Sequence, residues 1–225
     1  MTLNFWQEKT IPYSWYPKNV TMDWSGTDQP QNMDLNWTAP ISYIFNNQGF
    51  RTYDLDIIND SKINIALGCS QTMGVGLPVE MTWPFQIEKL TRIKTVNLGL
   101  GGASSDTVAR ILTNISELFK VHSVYILWPS FNRFEEYSRD KIIEILPHCA
   151  QLEHAWYMDE PNSHQRFFKN QKIVHILKKS HNFELHELQY DTTDWRELGD
   201  LARDQIHSGY KSNLNLANLF LTGTK

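Results

Sequence analysis

A serine, an aspartate and a histidine stand where covalent acyl transfer would need them. Ser70 lies in Gly68-Cys69-Ser70-Gln71-Thr72, and the other two lie in Asp204-Gln205-Ile206-His207. A serine hydroxyl is a poor nucleophile unaided and requires a base within hydrogen-bond reach. A carboxylate three residues upstream of a histidine in a loop can reach back to the ring's Nδ1, which fixes the tautomer that leaves Nε2 free to accept a proton. Asp-x-x-His is a short pattern that arises readily by chance, so its weight comes from context. It sits between a polar stretch, 191–200, and an amphipathic segment starting near Tyr210, with Ser208-Gly209 directly after the histidine. Ser70 follows Ile63-Asn64-Ile65-Ala66-Leu67, an apolar run that reads as a buried strand. That places the serine just past a strand's C-terminal end, the edge where ligands bind in open α/β sheets.

Other chemistries find less support. The stretch from Gly68 to Gly74 has no Lys-Ser or Lys-Thr after its second glycine, so the lysine that grips phosphate in a P-loop is missing. Gly99-Leu100-Gly101-Gly102-Ala103-Ser104 opens like a dinucleotide fingerprint, but serine stands where the third glycine would let a helix pack close to its strand. None of the eight histidines pairs with another at i+4, and no His-Glu-x-x-His occurs, so no metal site is expected. A net charge of −4 with scattered Lys and Arg gives no footprint for nucleic acid. No stretch approaches the roughly 20 apolar residues of a spanning helix, and residues 1–8 lack the zones of a secretory signal. A cytoplasmic setting is therefore expected, and two cysteines, Cys69 and Cys149, suit a reducing compartment. Oligomeric state has no signature in the sequence.

The elements that must position these residues begin near residue 60. Residues 1–60 hold Trp6, Trp15, Trp24 and Trp37 and four prolines, with no sustained period of 2 or 3.6. They read as an irregular extension wrapped on the main domain, 61–225, its tryptophans either packed on the core or lining a sugar-binding groove. Beyond it, strand and helix patterns alternate. Strands are predicted over 63–67, 96–100, 124–128 and 183–188. Helices are predicted over 79–90, 142–156, 165–179 and from about 210. The clearest helix follows Ser104, Ser105 and Asp106, with Val108, Ile111, Leu112, Ile115, Leu118 and Phe119 on one face. This alternation predicts a mostly parallel sheet with helices on both faces.

Four segments in order, Gly68-Cys69-Ser70, Asn97-Leu98-Gly99-Leu100-Gly101-Gly102, Asn132 and Asp204-Gln205-Ile206-His207, resemble the four blocks of the SGNH (GDSL-type) hydrolase superfamily. The resemblance covers roughly residues 62–220. It implies a flavodoxin-like three-layer α/β/α sandwich and hydrolysis of an ester through an acyl-enzyme, with no cofactor. It implies Ser70 as nucleophile, His207 as base and Asp204 as its orienting partner. The oxyanion hole it implies is made of the backbone N–H groups of Ser70 and Gly102 and the side chain of Asn132. The expected partner is a small-molecule or carbohydrate ester, an O-acetyl group on carbohydrate being the candidate. The chain departs from the family at two places: Cys69 stands where aspartate is usual, and Pro129-Ser130-Phe131-Asn132-Arg133 replaces Gly-x-Asn-Asp. Asparagine also caps turns, so Asn132 has a second reading. The weaker third block leaves one rival function, a non-catalytic carbohydrate-binding module on the same fold.

Overall fold

The computed structural model describes residues 14–58, 62–138, 141–146, 159–190 and 199–223. Its centre is a parallel sheet of four strands, β3 (Ile63–Gly68), β4 (Thr95–Asn97), β5 (Val121–Trp128) and β8 (Glu184–Gln189), in the order β4-β3-β5-β8. Taken in chain order, these strands stand 2-1-3-4, the flavodoxin-like arrangement, and the order reverses between β3 and β5.

Every residue of β3 is buried, and its alternate side chains enter two separate cores. Ile63, Ile65 and Leu67 join Val124, Ile126 and Trp128 of β5 under α3 (Ser105–Leu118) and α4 (Glu160–His181). On the other face, Ala66, Tyr125 and Leu127 pack with Trp83 and Ile87 of α2 (Trp83–Thr91) and with Leu216, Ala217 and Phe220 of α5 (Tyr210–Thr222). The period-2 alternation of a strand thus builds the three layers, each fully buried aliphatic side chain contributing about 1.5–3 kcal/mol. Ser104 starts α3 as expected: its hydroxyl accepts from the N–H groups of Asp106 and Thr107, and Thr107 answers in a capping box.

Besides earlier starts of α4, at Glu160 and not 165, and of β5, at Val121 and not 124, three boundaries differ from expectation. Residues 142–145 form a strand, not a helix. β7 (Lys141–Ile145) pairs antiparallel with β6 (Phe134–Ser138), burying Ile142 and Ile145, whose spacing of three is that of a helix face although the strand turns them to opposite sides. The remainder of that predicted helix, with Cys149, lies outside the described residues. The predicted helix 79–90 is split: a 3-10 turn, Val79–Met81, ends at Thr82, whose hydroxyl donates to the Val79 carbonyl, and α2 starts afresh with Pro84 in its first turn. The third, β4, is shorter than its apolar run and stops at Asn97, whose side-chain oxygen accepts from the Gly99 N–H and bends the chain away.

Within residues 14–58 two short antiparallel strands pair, β1 (Val20–Met22) and β2 (Tyr43–Phe45). Together with Ile41, Met73 and Val75, Tyr43 and Phe45 form a third apolar cluster. Arg51 is buried beneath it. Its guanidinium donates to the carbonyls of Gly74 at 2.6 Å and Leu77 at 2.8 Å, fixing the chain that follows Ser70.

Candidate active site

Ser70 opens α1 (Ser70–Met73), a single helical turn between the end of β3 and Gly74, which is left-handed at φ +81°. So tight a reversal needs glycine at position 68, where φ is +150°. A Cβ there would collide with Thr72 Oγ1 and stand 2.6 Å from the Leu127 carbonyl oxygen. Cys69 is a free thiol only 1% exposed in the core under α3, so the residue beside the serine faces away from solvent. Asn97 Nδ2 donates to the Thr72 carbonyl at 2.8 Å, and the Leu100 N–H donates to the Gly68 carbonyl at 3.1 Å. These bonds lay the glycine-rich loop 97–102 alongside the serine turn.

The segment 200–209 brings the acid and the base to the same place. A hydrogen bond of 2.8 Å joins His207 Nε2 to Ser70 Oγ, and one of 2.5 Å joins His207 Nδ1 to Asp204 Oδ2. Both residues are buried, Asp204 being 1% exposed. The other carboxylate oxygen, Oδ1, accepts from the N–H groups of Ile206 and His207. Burial disfavours the Asp204 charge, but the bonds from His207 and Thr27 outweigh it and hold the carboxyl at about 2. The turn is closed by bonds from the Ala202 N–H to the His207 carbonyl and from the Gln205 N–H to the Ala202 carbonyl, with Gln205 left-handed at φ +57°. Gln71 Oε1 accepts from the Ser208 N–H at 3.1 Å and ties this loop to the serine turn. Asn213 of α5 donates to the carbonyls of Ser208 and Gly209.

Gly102 and Asn132 are held differently. Gly102 has φ +83°, and the carboxyl of Glu144, reaching over from β7, lies 2.8 Å from where a Cβ would stand. Among the described residues, Glu144 Oε2 is buried with no hydrogen-bond partner. Burial pushes the Glu144 carboxyl up to about 7; Arg133 works against the rise and Glu135 adds to it. Asn132 lies half-buried in a turn closed by the Arg133 N–H on the Ser130 carbonyl. Its Oδ1 accepts from Ser130 Oγ at 3.0 Å, and Nδ2 makes no hydrogen bond among the described residues.

Sequence reasoning missed Thr27, Asp28, Arg203 and Glu144. Thr27 and Asp204 are 177 positions apart, and nothing in either local pattern links them. The described tryptophans of the extension are packed. Trp15 lies against the main core, Trp37 lies against the third cluster, and the Trp24 ring carries the Arg203 guanidinium at 4.1 Å. Trp6 lies outside the described residues.

No protein-family model matches the chain, and no curated protein matches it. Solved structures with a similar chain path include the psychrotrophic esterase EstA from Pseudoalteromonas sp., at 12% identity and TM-score 0.46, over 70% of this chain and 93% of that one. A member of the lipolytic protein G-D-S-L family from Veillonella parvula is 10% identical with TM-score 0.43, over 72% of this chain and 97% of that one. A carbohydrate acetylesterase from Sinorhizobium meliloti is 9% identical with TM-score 0.36, over 70% of this chain and 95% of that one.

Proposed function

We propose that this chain is a serine ester hydrolase of the SGNH type, working through an acyl-enzyme. The observation that carries the reading is the continuous relay from Ser70 Oγ through His207 Nε2 and Nδ1 to Asp204 Oδ2, at 2.8 and 2.5 Å. In the acylation step Ser70 Oγ attacks the ester carbonyl while His207 Nε2 takes its proton. The imidazolium formed is stabilised by Asp204, which is ionised throughout the neutral range because its carboxyl titrates at about 2. His207 then returns the proton to the leaving alkoxide, and water attacks the acyl-serine by the same route in reverse. The N–H groups of Ser70 and Gly102 and the Asn132 side chain are the proposed donors to the oxyanion. The bond from Ser130 to Asn132 Oδ1 favours this role, since it fixes the amide while leaving Nδ2 to donate.

The substrate class proposed is an ester of a small acyl group, with O-acetylated carbohydrate first among the candidates. The packed tryptophans give that choice no further support, since they have structural partners. Among the described residues no helix is long and apolar enough to cross a membrane.

The test is hydrolysis of short-chain aryl esters by wild type and Ser70→Ala. Turnover by the wild type, abolished in the variant while the melting temperature stays the same, is the expected result. Equal inertness of both proteins would favour the binding module, and equal activity would place the nucleophile elsewhere.

A further inference from the structure

Two neighbouring residues of the extension grip two neighbouring residues of the acid–base loop. Thr27 Oγ1 donates to Asp204 Oδ2 at 2.5 Å and lies 3.4 Å from His207 Nδ1. Beside it, the fully buried Asp28 carboxylate receives Arg203 Nε at 2.8 Å and Arg203 Nη2 at 2.6 Å. Asp28 also accepts from the Tyr43 hydroxyl at 2.6 Å, and that hydroxyl accepts from the Gly76 N–H. Gly76 closes the ring through its carbonyl, which accepts from the Arg203 N–H at 2.9 Å. The result is a clasp that joins the extension, the chain just after Ser70 and the loop of Asp204 and His207.

Three other N–H groups bond to the Asp204 carboxylate, and all belong to its own loop: the backbone N–H groups of Ile206 and His207, and the His207 ring. Among the described residues Thr27 is the only donor to it from elsewhere in the chain. Loop bonds alone allow the carboxylate to swing with the loop. A donor anchored next to a buried ion pair fixes the carboxylate relative to the serine turn, which the same clasp holds. A hydrogen bond to a charged group is also about twice as strong as a neutral one.

We propose that Thr27 is a positioning residue of the catalytic apparatus, holding Asp204 Oδ2 where it orients His207 toward Ser70, so that the N-terminal extension is part of the active site and not a cover for the core. The proposal rests on the serine-hydrolase reading, and one assay separates the failure of either. An alkyl fluorophosphonate reports on the relay without knowledge of the natural ester. Ser70 Oγ bonds to phosphorus, fluoride departs with the P–F electron pair, and the serine proton passes to His207 Nε2. Labelling rates are measured for the full chain as wild type, Thr27→Val and Thr27→Ser, with Ser70→Ala as the blank.

Valine is close in shape to threonine but cannot donate. Thr27→Val is expected to label about tenfold more slowly, on the scale of one lost charge-assisted hydrogen bond, with a lower melting temperature but the chain still folded at the assay temperature. Thr27→Ser, which restores the hydroxyl, is expected to label within twofold of wild type. The low-field proton resonance of the His207 Nδ1 bond is expected to move in Thr27→Val and to return in Thr27→Ser. Labelling of Thr27→Val at the wild-type rate with an unmoved resonance would overturn the proposal, as would Thr27→Ser behaving like Thr27→Val. Absence of Ser70 labelling in the wild type would instead overturn the serine-hydrolase reading.

Discussion

The acid–base loop and the turn that carries Asn132 are built on different plans. The loop 200–209 is held from two distant parts of the chain, Thr27 and Asp28 of the extension and Gln71 of the serine turn, and by Asn213 of the helix that follows it. The turn 130–133 is closed by local hydrogen bonds, from the Arg133 N–H and the Ser130 hydroxyl, and is seated on α4 by Phe131, whose ring centroid lies 4.4 Å from that of His164. On the strand that follows, Arg110 and Glu135 form a bidentate pair at 2.9 and 2.8 Å. A group that must keep one geometry while it exchanges a proton benefits from many independent tethers. A donor to the developing oxyanion must also be in place beforehand, and the Asn132 amide is fixed by a local bond, the Ser130 hydroxyl on its Oδ1.

If that contrast is functional, the largest effect after loss of the nucleophile belongs to the tethered side. Asp204→Asn keeps the shape but cannot stabilise the imidazolium, and kcat is expected to fall by about 10²- to 10⁴-fold. Steady-state kinetics on an aryl acetate check this, and turnover within a few-fold of wild type would break the contrast at its strong end. Asn132→Ala comes next. As the proposed third donor, it is expected to cost about 2.7–4 kcal/mol of transition-state stabilisation, mostly in kcat. A silent substitution would make Asn132 a turn residue and leave the oxyanion to two backbone N–H groups.

A smaller effect sits between the two regions, at Glu144. Its carboxyl is neutral below about pH 7 and charged above it, and the charge forms beside Gly102, where it opposes an oxyanion. The wild-type kcat/KM is expected to decline several-fold from pH 7 to pH 9 relative to Glu144→Gln; superimposable profiles would dismiss the effect. Stability follows with a defined sign. The unfolded chain ionises this carboxyl near its ordinary value of 4.5, the folded chain near 7, so the folded state loses stability as pH rises through that window. The melting temperature of Glu144→Gln should therefore gain on the wild type between pH 5 and pH 8. The smallest effect belongs to Cys69→Ala, which removes a buried thiol from the core and is expected to lower stability slightly and leave turnover nearly unchanged.

What the sequence made legible follows the same division. The parallel sheet was readable because β3 and β5 are apolar runs buried on both faces, and α3 because its stripe and its Ser104 cap agree. The segments of Ser70, Asp204 and His207, which the fold brings within hydrogen-bond reach, drew attention by their context, a buried strand before the serine and a loop before the last helix, and not by Asp-x-x-His alone. The pairing of β6 with β7 was not: Ile142 and Ile145 stand three apart, the spacing of a helix face, and their strand pairing depends on residues 134–138. The clasp was not readable either. Thr27-Asp28 and Arg203-Asp204 carry no pattern of their own, and only the folded chain brings them within hydrogen-bond reach.

The central claim, that Ser70 is the atom acylated, is tested most directly by quenching the protein with acid during turnover of an aryl acetate and mapping the acetyl group by peptide fragmentation. An acetyl group on Ser70, absent from Ser70→Ala, is the predicted result. An acetyl group on Cys69, or continued hydrolysis by Ser70→Ala with no acetyl group on the chain, would contradict it.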